Sequence, residues 1–387
     1  MTQFTDPVQI DDKLWMIDLM EQGLPCRSAA YFLAEEKPTL IETGSAKSHD
    51  IIVEALQQLG YTPEDLAYVI VTHVHLDHAG GAGHMMQKAK NAQLVVQNRA
   101  ARHMIDPSRL WNGAKAVYGD QLEELFGEMI AVPESQVLVR NHGETLDLGG
   151  RVLTFYDTPG HAKHHFSIHD PVADGVYAGD AAGIRYRTCF TGWDFEWVMP
   201  STSPVDFDPE AVHQTVELLE SIPFQWIYHT HFGRSPKAEA LRDTDKSAQS
   251  LAALIESIYR GEAAPGDGGT AGDAAGDVAA GSGSARDAAA KDAAGATAGT
   301  DAAARDATRD AAAKDAVGAT AGTDAAARDA TRDVTLEEVV NALRGWIRED
   351  LKQRGHTVSP TNPLHELDLD VVLDALGLMH YATVTRK

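Results

Sequence analysis

The segment Thr72-His73-Val74-His75-Leu76-Asp77-His78 constrains this chain more than any other feature. Three imidazoles and one carboxylate fall within six residues, directly after the apolar run Tyr68-Val69-Ile70-Val71. A short apolar run bounded by turn residues reads as a buried strand, so the cluster sits at a strand's C-terminal end. Side chains two apart on an extended chain point the same way, which lets His73 and His75 face one point. Asp77 and His78 lie past the strand, on a turn that Gly80 and Gly81 help to form. Imidazole nitrogen and carboxylate oxygen are the donors that suit zinc and related divalent metals. The arrangement can serve two metals side by side.

Three more pieces end in chemistry-bearing residues after apolar runs. Phe155-Tyr156-Asp157-Thr158-Pro159-Gly160-His161 puts a histidine after a Pro-Gly turn, and Val176-Tyr177-Ala178-Gly179-Asp180 puts an aspartate after a strand. Trp226-Ile227-Tyr228-His229-Thr230-His231 ends a third, with His229 and His231 competing because they share a face if the strand continues. Sites built at the carboxyl ends of strands are the pattern of layered α/β proteins. Helical spacing runs through Ile51 to Leu59 and stops at Gly60; residues 99–130 read as mostly helical, with breaks at Pro107 and Gly113.

The organisation expected is a catalytic domain over 1–235, an Ala/Gly/Asp insertion over 262–333, and a small helical unit formed by 236–261 with 334–387. The insertion repeats with a period of 23: Asp287 to Arg309 recurs as Asp310 to Arg332, with Ala294 replaced by Val317. A stacking repeat needs an apolar face, and this one has none, so it reads as a disordered linker. Leu336, Val339, Val340, Leu343 and Ile347 mark one face of a helix after it, and Leu241, Leu251, Leu254, Ile255 and Ile258 mark another before it.

The 387 residues carry 57 acidic and 33 basic side chains, a net charge of −24. That balance argues against nucleic acid and against an anionic membrane surface as partners; the partner expected is a small-molecule substrate, on the resemblance set out below. Only −6 of it falls within residues 261–333, so the acidity belongs mainly to the folded parts. Excess surface carboxylate is a halophile's device, and the composition reads as adaptation to a salty cytoplasm, with an ordinary acidic enzyme as the alternative. The two cysteines, Cys26 and Cys189, read as reduced, buried small residues of a cytoplasmic protein.

In order and content, the HxHxDH run at His73–His78, TPGH at His161, GD at Asp180 and THFG at His231 resemble the metallo-β-lactamase superfamily of metal-dependent hydrolases, over roughly residues 10–235. The resemblance implies a four-layer αβ/βα sandwich with two mixed sheets. It implies one metal on His73, His75 and His161, a second on Asp77, His78 and His231, and Asp180 bridging both. It favours His231 over His229. The family usually has Asp where Glu42 stands here. The nearest branch is the glyoxalase II-like and lactonase-like one, whose reaction is hydrolysis of a thioester, lactone or similar acyl bond by a metal-bridging hydroxide. Two divalent ions are expected, zinc first, with iron or manganese fitting the same donors. Asp77, Asp180 and Tyr186 are the catalytic candidates: Asp180 to anchor, Asp77 to orient or manage a proton, Tyr186 to donate to the oxyanion. His164 and His165 are either supporting partners or loop residues. Residues 184–199, with Arg185 and Arg187, are one candidate wall of the substrate site and 99–130 the other; aromatics with arginines suit an apolar substrate bearing a carboxylate. The rival reading is an iron-dependent oxidoreductase of the persulfide dioxygenase type on the same fold.

Overall fold

The computed structural model describes residues 6–202, 205–262, 333–356 and 368–385. The repeat insertion, apart from its two end residues, lies outside the described residues.

Strands whose two faces are both covered read as continuous apolar runs, and their alternate side chains serve different cores. Ala29, Tyr31 and Leu33 of one strand enter one core while Ala30 and Phe32 enter another. Val69 and Ile70 divide in the same way, as do Val176 and Tyr177. That division builds four layers. The first sheet holds β1 (Val8–Gln9), β2 (Leu14–Asp18), β3 (Ala29–Leu33), β4 (Thr39–Ile41), β5 (Tyr68–Ile70), β6 (Gln93–Gln97) and β7 (Val137–Arg140), in that order. Its first four strands are antiparallel and β4 to β7 are parallel. The second sheet runs β15-β14-β11-β10-β9-β8, from β8 (Thr145–Asp147), β9 (Val152–Asp157), β10 (Phe166–Asp170), β11 (Gly175–Gly179), β14 (Trp226–His229) and β15 (Arg234–Pro236). The pair β12 (Ile184–Tyr186) and β13 (Trp197–Met199) stands apart.

Parallel strands need crossovers, and helices supply them on the outer face of the first sheet. These are α1 (His49–Gln58), α2 (Leu76–Ala79), α3 (Ala82–Lys88), α4 (Asn98–Ile105), α5 (Ser108–Tyr118) and α6 (Leu122–Phe126). The chain breaks at Pro107, as the sequence suggests, but α5 runs straight through Gly113. A helix-interior glycine costs only about 1 kcal/mol against alanine. The break falls instead at Gly119, whose φ of 57° is open to glycine. After α7 (Thr188–Thr191), α8 (Pro209–Ser221) covers the second sheet with the start of α9 (Lys237–Tyr259).

The helices α10 (Leu336–Gln353) and α11 (Asp368–Thr385) pack with the rest of α9. Their apolar faces share one core with Tyr186, Trp197 and Met199. The indole of Trp197 donates to Asp350 at 3.0 Å. The C-terminal helices are thus bound to the segment that follows Asp180. Among the described residues no helix is long and apolar enough to cross a membrane.

The cysteines overturn the expectation of free thiols. Cys26 and Cys189 are joined in a disulfide, with Cα atoms 6.1 Å apart. A sequence separation of 163 hides the contact; it arises because the loop after β2 meets α7 in the folded chain.

Candidate metal centre

The histidine segment leaves β5 and enters α2 with His75 as its N-cap in extended conformation, so Asp77 and His78 follow on the helix. His161 stands after Gly160, whose φ is +126° and where an added Cβ would lie 2.7 Å from Val212 N. Only glycine fits that turn. Gly179 has the same role before Asp180: an added Cβ would lie 2.5 Å from both Thr72 Oγ1 and His165 Nε2. The β11–β14 register shifts at this point, which swings Asp180 off the strand.

Two clusters result. His73 Nε2 lies 2.9 Å from His75 Nδ1, and His161 Nε2 lies 3.2 Å from the first and 2.9 Å from the second. The other cluster sets His78 Nε2 and His231 Nε2 at 3.6 and 3.4 Å from Asp77 Oδ2. Asp180 joins the two. Its Oδ1 is 3.2 Å from His78 Nε2 and 3.4 Å from His231 Nε2, while its Oδ2 is 3.4 Å from His161 Nε2.

These donors fit divalent metal, and the hydrogen bonds behind them say why. Thr72 Oγ1 donates to Glu42 Oε1 and therefore accepts from His73 Nδ1 at 3.1 Å. His161 Nδ1 donates to Ser201 O at 3.1 Å. Both rings are thereby left with bare lone pairs at Nε2, facing each other. Lone pairs at that range repel unless a cation lies among them. His78 Nδ1 and Nε2, Asp180 Oδ1 and His231 Nε2 are buried with no hydrogen-bond partner, a costly state that a metal would relieve.

The electrostatics divide the same way. Burial and neighbouring imidazoles hold His73 and His75 well below the usual imidazole range, in the neutral form that ligates. Burial also lowers His161, against the pull of Asp180. At His78 burial is outweighed by Asp180, Asp77 and Glu42, which raise it; Asp180 is held well below the carboxylate range because His78, His231 and His161 outweigh its burial.

Outer partners fix these groups in place. Glu42 is fully buried at a φ of +69°, a backbone state that costs a non-glycine residue about 1–3 kcal/mol. There its carboxylate reaches Thr72 and lies 3.3 Å from Thr230 Oγ1. His165 is buried, accepts the Asp180 N–H at 3.2 Å and meets Thr158 Oγ1 at 2.9 Å. His164 lines the cavity beside the cluster. His229 turns away, bonded to Gly183 O and Ser235 Oγ.

A cavity of about 730 Å³ opens from His75, Asp77, His161, Asp180 and His231. Its walls differ from expectation. Tyr186 does not line it: the ring is 2% exposed, stacks on Trp197, and gives its hydroxyl to Asp370 at 3.3 Å. Arg185 and Arg187 pair with Glu196 instead of facing the cavity. Of residues 184–199 only Ile184 reaches it, because the rest of that segment packs under the C-terminal helices. The helical stretch forms the wall, with Arg99, Arg102, Leu110, Val117, Tyr118 and Phe126.

Several lining residues carried no motif. Tyr118 is kept protonated by burial and by the fields of Asp77 and Asp370. Glu21 is 2% exposed, holds Ser45 N and Ser48 Oγ with one oxygen, and has no partner for the other. Asp370 and Asp374 come from α11, beyond the insertion. Arg27 binds Asp370 at 2.8 Å. Thr202 donates both its N–H and its hydroxyl to Asp374 at 2.8 Å. None of these stands near the histidine motifs in sequence, and helical spacing was the one signal that could have marked Tyr118.

Burial raises the Asp374 carboxyl to about 7, against those hydrogen bonds. A carboxyl raised in the fold stabilises it at low pH and loses that stability as pH climbs from about 4 through 7. Asp374→Asn does not titrate. Its stability margin over the parent is therefore expected to grow by roughly 2–3 kcal/mol between about pH 5 and pH 8. Urea unfolding at the two pH values measures this, and a margin that stays constant would refute it.

Two mixed sheets between helical layers, with a histidine–aspartate cluster at their strand ends, define a class: layered α/β proteins whose strand ends carry a donor set fit for divalent metal. The sequence profile of the metallo-beta-lactamase superfamily matches residues 23–231, more than half of the chain, and the chain belongs to that superfamily. It is 30% identical over 165 residues to a metallo-beta-lactamase fold-containing protein of Sulfurisphaera tokodaii, a match that covers 41% of this chain and 59% of that protein, less than two thirds of its length. It is 35% identical over 231 residues to an N-acyl homoserine lactonase of Bacillus sp, covering 53% of this chain and 79% of the lactonase. A metallo-beta-lactamase family protein from Thermus thermophilus shares the fold, with a TM-score of 0.51 at 17% identity over 65% of this chain and 84% of that one.

Proposed function

We propose that the protein hydrolyses an acyl-type bond, in a lactone, thioester or ester of a small molecule, with two divalent metal ions, zinc first. His73, His75 and His161 would hold one ion, Asp77, His78 and His231 the other, and Asp180 both. The observation that carries this reading is the Asp180 carboxylate, with one oxygen turned to each cluster. When bound, a metal pair supplies a water acidic enough to attack at neutral pH and an electrophile for the carbonyl oxygen.

The chain's own groups do the rest. Asp77 is the most open of the carboxylates in the cluster, with 29% of its side chain exposed, and is placed to take up a proton and return it to the leaving group. Tyr118, protonated and on the cavity wall, is the hydroxyl available to the oxyanion in place of Tyr186. His165 and Glu42 keep Asp180 and His73 from turning. Likeness to an N-acyl homoserine lactonase supports the choice of acyl substrates. A complete second cluster favours hydrolysis over the single-iron dioxygenase reading.

Metal content per chain, measured on protein purified without added metal, is the test, together with a screen of lactones and thioesters. About two zinc per chain and turnover of an acyl substrate are expected. About one iron per chain, with oxygen consumed on a persulfide, would overturn the proposal.

A further inference from the structure

The cavity that opens from the metal cluster is also lined by cations that form no ion pair among the described residues. With 57 acidic against 33 basic residues, carboxylates are in large excess. Two cations of this cavity have taken one: Arg27 binds Asp370 at 2.8 Å and Lys163 binds Asp206 at 3.1 Å. Arg99 and Arg102 on α4 and Arg109 on α5 line the same cavity and form no ion pair with a carboxylate among the described residues. Among the described residues the Arg99 guanidinium reaches Lys163 O at 3.3 Å, and that of Arg102 reaches His103 Nε2 at 3.2 Å.

Their placement is orderly. Arg99 and Arg102 are three apart, on one face of α4. Arg109 follows the turn at Pro107 and begins the next helix. All three are exposed, whereas His161 and Asp180 are buried, so the arginines stand at the mouth and the metal donors at the floor. Leu110, Val117 and Phe126 lie along the same wall. A positive field at the mouth is also felt by His103, which burial lowers and Arg102 and Arg109 lower further.

We infer that Arg99, Arg102 and Arg109 form an anion subsite that holds the far end of the substrate, an acyl chain ending in a carboxylate or phosphate whose reacting carbonyl lies at the metal cluster. This rests on the hydrolase reading and narrows it. A guanidinium matches both anions in two-point fashion. The apolar wall suits the chain between. The arginines take the role expected of Arg185 and Arg187, from a different part of the sequence.

The test compares three thioesters of equal chain length, ending in a methyl group, a carboxylate or a phosphate. The anionic probes are expected to show kcat/KM at least about tenfold above the neutral one at low salt, a preference that collapses at high salt because the arginines are exposed. In the variant Arg102→Ala/Arg109→Ala that preference falls toward one, while metal content and turnover of the methyl-ended thioester hold. Preference for phosphate over carboxylate, or the reverse, fixes the anion and sustains the proposal. A ratio near one in the unaltered protein, or a ratio the variant keeps, overturns it. Failure of the hydrolase reading shows separately, as no turnover of any thioester. Calorimetry with a straight-chain dicarboxylate against the monocarboxylate of equal length then decides the subsite: selective binding that the variant loses sustains it, and equal binding overturns it.

Discussion

Replacing Asp180 with asparagine is expected to strip metal from both clusters and to lower hydrolysis well beyond the roughly 10–100-fold that loss of an outer-shell partner costs. The aspartate presents one bare oxygen to each cluster. Asparagine keeps the shape but turns one oxygen into an N–H donor. That donor would satisfy a histidine lone pair at His161, or at His78 and His231, where the cation is needed. One cluster loses its anionic ligand and the other loses half of its negative charge. His165→Ala is the control. His165 touches Asp180 through the backbone N–H alone, so its loss should stay within the roughly 10–100-fold range. Elemental analysis and turnover of both variants measure this. Full metal content and near-normal rates in Asp180→Asn would contradict the bridging role.

Arg151→Met should cost about 3–5 kcal/mol of stability, the usual penalty for leaving a buried carboxylate, here Asp170, without its cation. Arg151 is 2% exposed and grips Asp170, with Glu35 Oε1 at 3.2 Å and Asp11 Oδ2 at 3.4 Å. Asp170 has no exposed surface. Its remaining bonds come from Tyr177 and from the N–H groups of Val172 and Ala173, which do not balance a charge. The network ties the end of β10 to the segments beside β2 and β3, so it clamps one sheet to the other. β10 begins at the metal centre, where Phe166 N meets Thr72 O. The clamp is thus at the far end of the strand, and metal content of the folded variant should be unchanged. The midpoint of urea unfolding reads the effect, and a shift below about 1 kcal/mol would show that the clamp is not needed. Adding Asp170→Asn to the variant should restore part of the loss, since the two groups interact directly.

Periodicity and motif order carried the sequence reading a long way. The apolar runs at Val69–Val71, Leu94–Val96 and Val176–Ala178 are buried strands or strand ends because both faces of the sheet are covered there, and that burial writes itself into composition, whereas Val152–Tyr156 buries only Leu153 and Phe155 and leaves Val152 exposed. Leu251, Ile255, Val339, Leu343 and Ile347 could be marked as one core from spacing, though 70-odd residues of unlike composition separate the two groups. The histidine and aspartate motifs were equally legible, since each closes a strand and lies within a few residues of its turn.

What stayed out of reach depended on contacts between distant segments. The disulfide joins residues 163 apart, and neither cysteine carries a local mark of its partner. Tyr186 stands six residues after Asp180, near enough to suggest a shared site. Packing against Trp197 under the C-terminal helices decides otherwise. Arg185 and Arg187 follow the same rule, turned aside by Glu196. Local pattern determined the strands, the helices and the histidine–aspartate motifs, because turn geometry and alternation act over a few residues. The walls of the cavity, from the arginines of α4 and α5 to Asp370 and Asp374 of α11, were decided only by how whole layers pack, since a side chain's neighbours across a cavity are set by tertiary structure and not by its place in the chain.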